Sequence, residues 1–279
     1  MPYSAEISRT SPAAILFLLD QSASMQDPFG GAERRGDAAP SKARVLADTV
    51  NRLLQDLILR CAKEDGVRNY FHVGVVGYGD RVGPLIEPSE ASIDLVPISC
   101  LAERPLRMEQ RIKEVDGRQQ PTRYPVWFDP RAKNGTPMCQ ALDLAAQIVR
   151  AWIDGQPHDF PPIVINVTDG EATDGDPLEF AHRVRSYGTD DGEVLLFNVH
   201  LSSSEEPTVE LPDAAAELPR EEYALQLFQM SSPLPFSMRA AAERQGYRVN
   251  MDTRGFVFNA DPSSLVRFLE IGTRPSNLR

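Results

Sequence analysis

The sequence predicts an α/β fold, a Rossmann-like three-layer sandwich with a mostly parallel central sheet and one short antiparallel strand. Residues 15–19 (ILFLL), 70–78 (YFHVGVVGY) and 163–167 (IVINV) are short apolar or β-branched runs bounded by polar residues. That is the pattern of strands buried on both faces. Between them lie segments with the i, i+3, i+4, i+7 apolar spacing of helices buried along one stripe. Strand and helix therefore alternate, which calls for crossover connections and parallel pairing.

Taken in order, the first strand ends abruptly at Asp20, and two hydroxyls follow at Ser22 and Ser24. A Gly- and Pro-rich loop leads to Ser41, a plausible N-cap for a helix that buries Leu46, Val50, Leu53, Leu54, Leu57, Ile58 and Cys61 and ends near Asp65-Gly66. After the strand at 70–78, residues 84–87 form a short return strand. The stretch at about 89–131 is Pro-rich and carries no sustained helical period; alternation at 92–99 and 124–128 predicts short strands in an insertion pinned to the body by Trp127 and Phe128. Thr136-Pro137 opens the next helix, with Thr as N-cap and Pro at the first helical position, burying Met138, Leu142, Ala145, Val149 and Trp152. The strand at 163–167 runs into Thr168-Asp169-Gly170. A helix at 177–187, a strand at 193–201, an acidic surface loop at about 202–220, a helix near 237–245, a strand at 255–259 and a closing helix from Asp261-Pro262 complete the chain. No element is assigned between 221 and 236. One domain over 1–279, with its core at about 13–272, accounts for the whole.

Composition narrows the function classes. Hydrophobic residues make up 42% and charged residues 25%, enough apolar material for a real core, and the net charge is −11. An acidic chain lacks the clustered Lys and Arg that nucleic acid requires. The three cysteines are far apart and give no disulfide framework. No apolar run approaches the roughly 20 residues of a membrane span. The N-terminus has no basic, long-apolar leader. The expectation is a cytoplasmic protein without a membrane or nucleic-acid partner.

Two core strands end in aspartate, Asp20 and Asp169, and in a doubly wound sheet their ends meet at the topological switch point. Thr136 lies one helix upstream on the same rim. Asp20, Ser22, Ser24, Thr136 and Asp169 make a set of three hydroxyls and two carboxylates. All-oxygen ligands suit a hard cation, Mg²⁺ or else Mn²⁺ or Ca²⁺, with one coordination position open to a partner. Asp27, just beyond the cluster, is a candidate outer contact, and the acidic run 173–176 reads as a solvated loop. Dinucleotide, P-loop and nucleophile-elbow motifs are missing: Gly77-Tyr78-Gly79 has no third glycine at the right spacing. His72, His158, His182 and His200 are scattered and read as surface or satisfied core residues.

Asp20-x-Ser22-x-Ser24, Thr136 in NGTPMCQAL and Asp169 in VTDGE resemble the metal-ion-dependent adhesion site of von Willebrand factor type A domains. All five positions match, and the similarity covers about 13–272. The resemblance implies a Rossmann-like fold whose cation bridges to an acidic residue of a partner protein. DQSASM and TPMCQAL look closer to bacterial intracellular members than to integrins. Such members imply partners among Ser/Thr kinases, protein phosphatases and AAA+ ATPases of the MoxR or chelatase type, and roles in tellurite-resistance or stress systems. The competing class is a metal-dependent phosphohydrolase on a similar fold. That chemistry needs a second aspartate two residues after Asp20, where Ser22 stands, so no general acid is in place and a non-enzyme is expected.

Overall fold

The computed structural model describes residues 2–29, 39–87, 95–115, 118–201 and 206–272. Besides two small two-residue ladders, Ala62–Lys63 with Gly66–Val67 and Gly188–Thr189 with Gly192–Glu193, its strands in chain order are β1 (Ala13–Asp20), β2 (Phe71–Tyr78), β3 (Val82–Pro84), β4 (Val96–Pro97), β5 (Arg107–Val115), β6 (Arg118–Val126), β7 (Ile163–Thr168), β8 (Leu195–Leu201), β9 (Val209–Glu210) and β10 (Phe256–Ala260). Its helices are α1 (Lys42–Cys61), α2 (Ile98–Glu103), α3 (Met138–Gly155), α4 (Pro177–Ser186), α5 (Glu222–Met230), α6 (Phe236–Arg244) and α7 (Pro262–Gly272). The main sheet runs β9-β10-β8-β7-β1-β2-β3, with β4 also on β2. The five long strands of this sheet, β10, β8, β7, β1 and β2, are parallel to one another.

β1 is buried over its whole length because both flanks and both faces are covered. Alternation along it divides the core. Ile15, Phe17 and Leu19 pack toward α1, α6 and α7, whereas Ala14, Leu16 and Leu18 pack toward α3, α4 and α5. The expected three-layer sandwich is the observed fold. β1 has no polar residue before Asp20, since there is no solvent face for one to occupy.

Several local expectations need correction. The sheet carries three short antiparallel strands, β3, β4 and β9, rather than one. They are two or three residues long and lie at the sheet margins, so their composition carries little signal. The return strand is Val82–Pro84, earlier than 84–87. α1 stops at Cys61, where the chain enters a tight ladder between Ala62–Lys63 and Gly66–Val67 turned by Gly66 at φ +115°. The insertion contains β4, a short strand within 92–99, and α2, while the strand expected at 124–128 is the end of β6 in a β5–β6 hairpin of nine residues a strand. That hairpin is held to α1 by polar contacts. The Tyr124 hydroxyl donates to the Asp48 carbonyl at 2.7 Å, and Arg111 bridges the Asp48 carboxylate at 2.8 Å while lying over the Tyr124 ring. Trp127 and Phe128 are buried as expected, and the Trp127 indole donates to the Leu101 carbonyl at 2.8 Å. The 202–220 loop holds β9 and a short 3₁₀ turn at Ala215–Glu217, with 202–205 outside the described residues, as is 88–94 in the insertion. α5 is an unassigned helix that buries Ala224, Leu227, Phe228 and Met230.

Phe17 is fully buried and Ile112 on the hairpin is 72% exposed. Phe17→Ala should therefore lower the unfolding free energy by about 3–5 kcal/mol, against less than about 0.5 for Ile112→Ala. Urea titration of the two variants checks this; equal losses would contradict the assignment of β1 as the centre of the core.

Candidate metal centre

Parallel pairing carries the C-terminal ends of β1, β2, β7 and β8 to one edge of the sheet. Asp20 ends β1 there. The Ser22 amide donates to Asp20 Oδ1 at 2.7 Å, and the Thr168 hydroxyl, from the end of β7, donates to Oδ2 at 2.7 Å. A 3₁₀ turn at Ala23–Gln26 brings Ser24 back, so that its hydroxyl stands 3.0 Å from that of Ser22 and donates to Asp169 Oδ1 at 2.7 Å. Asp20, Ser22, Ser24 and Asp169 are thus brought together. Between them, the Gln21 carbonyl accepts the Lys133 amide at 2.7 Å. A Cβ on Gly79 would stand 2.5 Å from that carbonyl oxygen, so the close crossing of these loops requires glycine.

Thr136 reaches the same rim by a different route. The Ala23 amide donates to the Asn134 carbonyl at 2.8 Å, with Asn134 in the left-handed region at φ 65°. Thr136 and Thr173 exchange hydrogen bonds, amide to hydroxyl at 2.9 Å and carbonyl to amide at 3.0 Å. Thr136 is buried, but it does not cap the helix as expected. α3 begins at Met138 with Pro137 before it, and its first amides are taken by Asp174, whose two oxygens accept from Cys139 and Gln140 at 3.0 Å each. A carboxylate neutralises two orphan amides and the helix dipole together, which a threonine hydroxyl cannot do. The Thr136 hydroxyl is thereby not consumed by the helix. The run 173–176 is the exposed loop expected, and its side chains also hold the rim: Thr173 holds Thr136, Asp174 caps α3, and Asp176 caps α4 through the Leu178 amide at 2.9 Å.

One residue escaped the sequence reading altogether. Lys42, the first residue of α1, is 5% exposed, and its Nζ lies 2.9 Å from Asp169 Oδ2. The Asp169 side chain itself is fully buried, although its backbone is not. Asp27, the candidate outer contact, reaches Lys42 Nζ only at 3.9 Å. The signal was a lysine in a first helical turn, where the helix dipole disfavours a cation unless an anion holds it.

Asp20 differs from Asp169. It is 1% exposed, and among the described residues no Lys, Arg or His ion-pairs with it. Burial pushes its carboxyl up to about 6, against the hydrogen bonds from Thr168 and Ser22 that pull it down. His200, beside Thr168 across β8, is packed between Tyr223 and Phe258. Burial pushes its imidazole down to about 4, and its Nδ1 accepts the Asn259 amide. Among the described residues no three His, Cys, Asp or Glu side chains are arranged to hold a metal ion, so a cation here rests on the hydroxyls. A buried carboxylate without a cation, two adjacent serine hydroxyls and a lysine ammonium already on the second carboxylate fit a hard divalent ion.

An unfolded Asp20 ionises near 3.8, whereas the folded one keeps its proton to about 6. Between those values the folded state binds the extra proton, so in the metal-free protein this group's contribution to stability falls as pH rises. Asp20→Asn, which removes the charge, should gain on wild type by roughly 3 kcal/mol between pH 4 and 7 in EDTA, measured by urea unfolding; a pH-independent difference would sink this assignment. Lys42→Met leaves Asp169 as an uncompensated buried carboxylate and should cost about 3–5 kcal/mol in EDTA. A loss below about 1 kcal/mol in the same unfolding experiment would show that the pair is solvated.

No protein-family model matches the chain, and no curated protein sequence matches it. Among solved structures it is similar to proximal thread matrix protein 1 from the mussel byssus, at 15% identity and a TM-score of 0.52 over 98% of this chain and 50% of that one. The pilus adhesin SpaC from Lactobacillus rhamnosus GG matches at 11% identity and a TM-score of 0.51, over 98% of this chain and 30% of that one. The vWF domain of the type V pili tip protein Mfa5 from Porphyromonas gingivalis aligns over 94% of both chains at 12% identity and a TM-score of 0.44. The chain spans half the length of the first and under a third of the second. At these identities the likeness is one of fold. Among the described residues no helix is long and apolar enough to cross a membrane. The architecture is mixed α/β and Rossmann-like, a central, mostly parallel sheet flanked by helices.

Proposed function

We propose that this chain is a protein-interaction module that captures an acidic residue of a partner protein through a Mg²⁺-type cation. The observation that carries the reading is Asp20: a buried carboxylate, without a cationic partner, beside the hydroxyls of Ser22 and Ser24. Asp20, Ser22, Ser24 and Thr136 are the residues that would hold the ion, with Asp169 joined to them through Ser24. When bound, the ion supplies a coordination position open to a carboxylate oxygen. The chain's own residues do the rest: Thr168 and the Ser22 amide orient Asp20, Thr173 and Asp174 orient Thr136, and Lys42 fixes Asp169.

The same rim gives little support to an enzyme. Ser22 occupies the position of the acid–base carboxylate that phosphoryl chemistry would need. His200 is buried and held neutral by its surroundings, and the Cys139 thiol is pushed up to about 12 by burial, with the nearby Asp174 adding to the shift. Among the described residues no histidine or cysteine hydrogen-bonds the Ser22 or Ser24 hydroxyl. Three unpaired cysteines fit a cytoplasmic protein. A Ser/Thr kinase, protein phosphatase or AAA+ ATPase presenting an exposed Asp or Glu is the partner class that the motif resemblance implies.

Magnesium binding followed calorimetrically at pH 7.5 should be lost in Asp20→Ala and Ser22→Ala, with the urea midpoint retained in at least one of them. Protein capture from a lysate should be present in Mg²⁺ and lost in EDTA and in both variants. Capture of equal strength in EDTA rejects the metal bridge. Hydrolysis of a generic phosphate ester that disappears in Asp20→Asn would restore the enzyme.

A further inference from the structure

We propose that the cationic groove running from the metal rim to the base of the β5–β6 hairpin receives an extended acidic segment of the partner, continuing from the carboxylate at the cation. The proposal rests on the metal-bridge reading for its first contact. Gln21 lies between Asp20 and Ser22 and forms one wall of a cavity of 380 Å³. Arg81 and Arg131, on the other walls, also line a second cavity of 470 Å³, so the two cavities adjoin at these arginines and are treated together as one trough. The order along it is therefore metal rim, arginine pair, hairpin base.

The trough is unlike the rest of the molecule in charge. The chain has 40 acidic and 29 basic residues, yet Arg81, Arg104 and Arg131 all point into this one trough. All three are exposed, and among the described residues none forms an ion pair. The nearby carboxylates are already engaged: Asp129 by Arg107 at 2.6 Å and Asp80 by Lys133 at 3.5 Å, leaving Glu87 as the other acidic side chain of the lining. The floor is apolar, formed by Leu85, Ile86, Leu101, Trp127 and Phe128, with Leu106 at the lip 61% exposed. The Trp127 indole N–H is spent on the Leu101 carbonyl, so the ring presents carbon to the trough.

A free anion would need the arginines but not the floor, and an apolar peptide would need the floor but not the arginines. The combination fits an extended segment with one acidic side chain at the cation, a second acidic side chain at Arg81 and Arg131, and an apolar side chain beyond them. Complementary charge of this kind sets specificity and encounter rate more than raw affinity.

Panning of random peptides displayed on phage against the full chain in Mg²⁺ tests this. The expected consensus has two acidic positions and one apolar position. A synthetic peptide of that sequence, followed by fluorescence anisotropy, should bind at least about tenfold more weakly to Arg81→Glu with Arg131→Glu, and not at all to Asp20→Ala. The double variant should keep the wild-type urea midpoint and Mg²⁺ affinity, since both arginines are exposed. Peptides that need Mg²⁺ and Asp20 but bind the double variant equally overturn the groove and leave the metal bridge standing. Peptides that need the arginines but bind equally in EDTA uphold the groove and reject the metal bridge. Enrichment of basic or wholly apolar peptides, or of none, overturns the proposal.

Discussion

A carboxylate buried at the end of the central strand is the constraint to which the rest of the molecule answers. β1 has strands on both flanks and helices on both faces, so Asp20 cannot turn its charge toward water. A buried carboxylate without fixed donors would cost several kcal/mol. Its donors are one amide on its own loop and one hydroxyl on the neighbouring strand, and each is held in turn: Thr168 by Gly170, and Ser22 by Ser24. One layer deeper, the Tyr78 hydroxyl donates to Asn166, Asn166 to Asn198 and Asn198 to Ser231, at 2.7–3.0 Å. This buried chain of hydrogen bonds crosses the ends of β2, β7 and β8 and reaches the end of α5. Slipping any of these strands by one residue would break several of its links together, so it fixes register as well as stability.

The two aspartates of the rim are treated unequally, and the inequality bears on what the site can do. Asp169 has a full positive charge against it in Lys42, which in turn pins the start of α1 to the end of β7. Asp20 has dipoles only. With both carboxylates ionised, the rim therefore carries about one net negative charge, and a divalent ion entering it would reverse the sign. Full compensation by two free carboxylates would leave a neutral site with little pull on an acidic partner. Under the proposed metal bridge, lysine at the helix start would thus favour capture of an anion over storage of the ion.

The parts of the molecule written in long runs were legible in the sequence. Residues 15–19 and 163–167 are apolar because neither face of those strands meets solvent, and the aspartates at their ends mark where burial stops. Asp20, Ser22, Ser24 and Asp169 meet because of that pairing. What was not legible depends on contacts between segments remote in sequence. Asp174 caps a helix that begins 36 residues before it, a relation without local spacing. The β5–β6 hairpin escaped because its exposed strand face carries Met108 and Ile112 while Arg111 turns inward to Asp48, the reverse of the apolar-in pattern by which strands are read. α5 is only nine residues long and its burial comes from Phe256 and Leu196 around it rather than from its own length. Lys42 was invisible because its partner lies 127 positions away.

The charge of the whole chain sharpens the role of these local cations. At physiological salt the Debye length is about 8 Å, so a net charge of −11 repels an acidic partner only weakly until it is close. At contact the balance is decided by the groups within a few ångströms, and in the trough these include the exposed Arg81, Arg104 and Arg131. An acidic background costs little at long range and disfavours misplaced acidic groups at short range, so under the proposed metal bridge the arginine-lined trough is the face on which a carboxylate-bearing chain would settle.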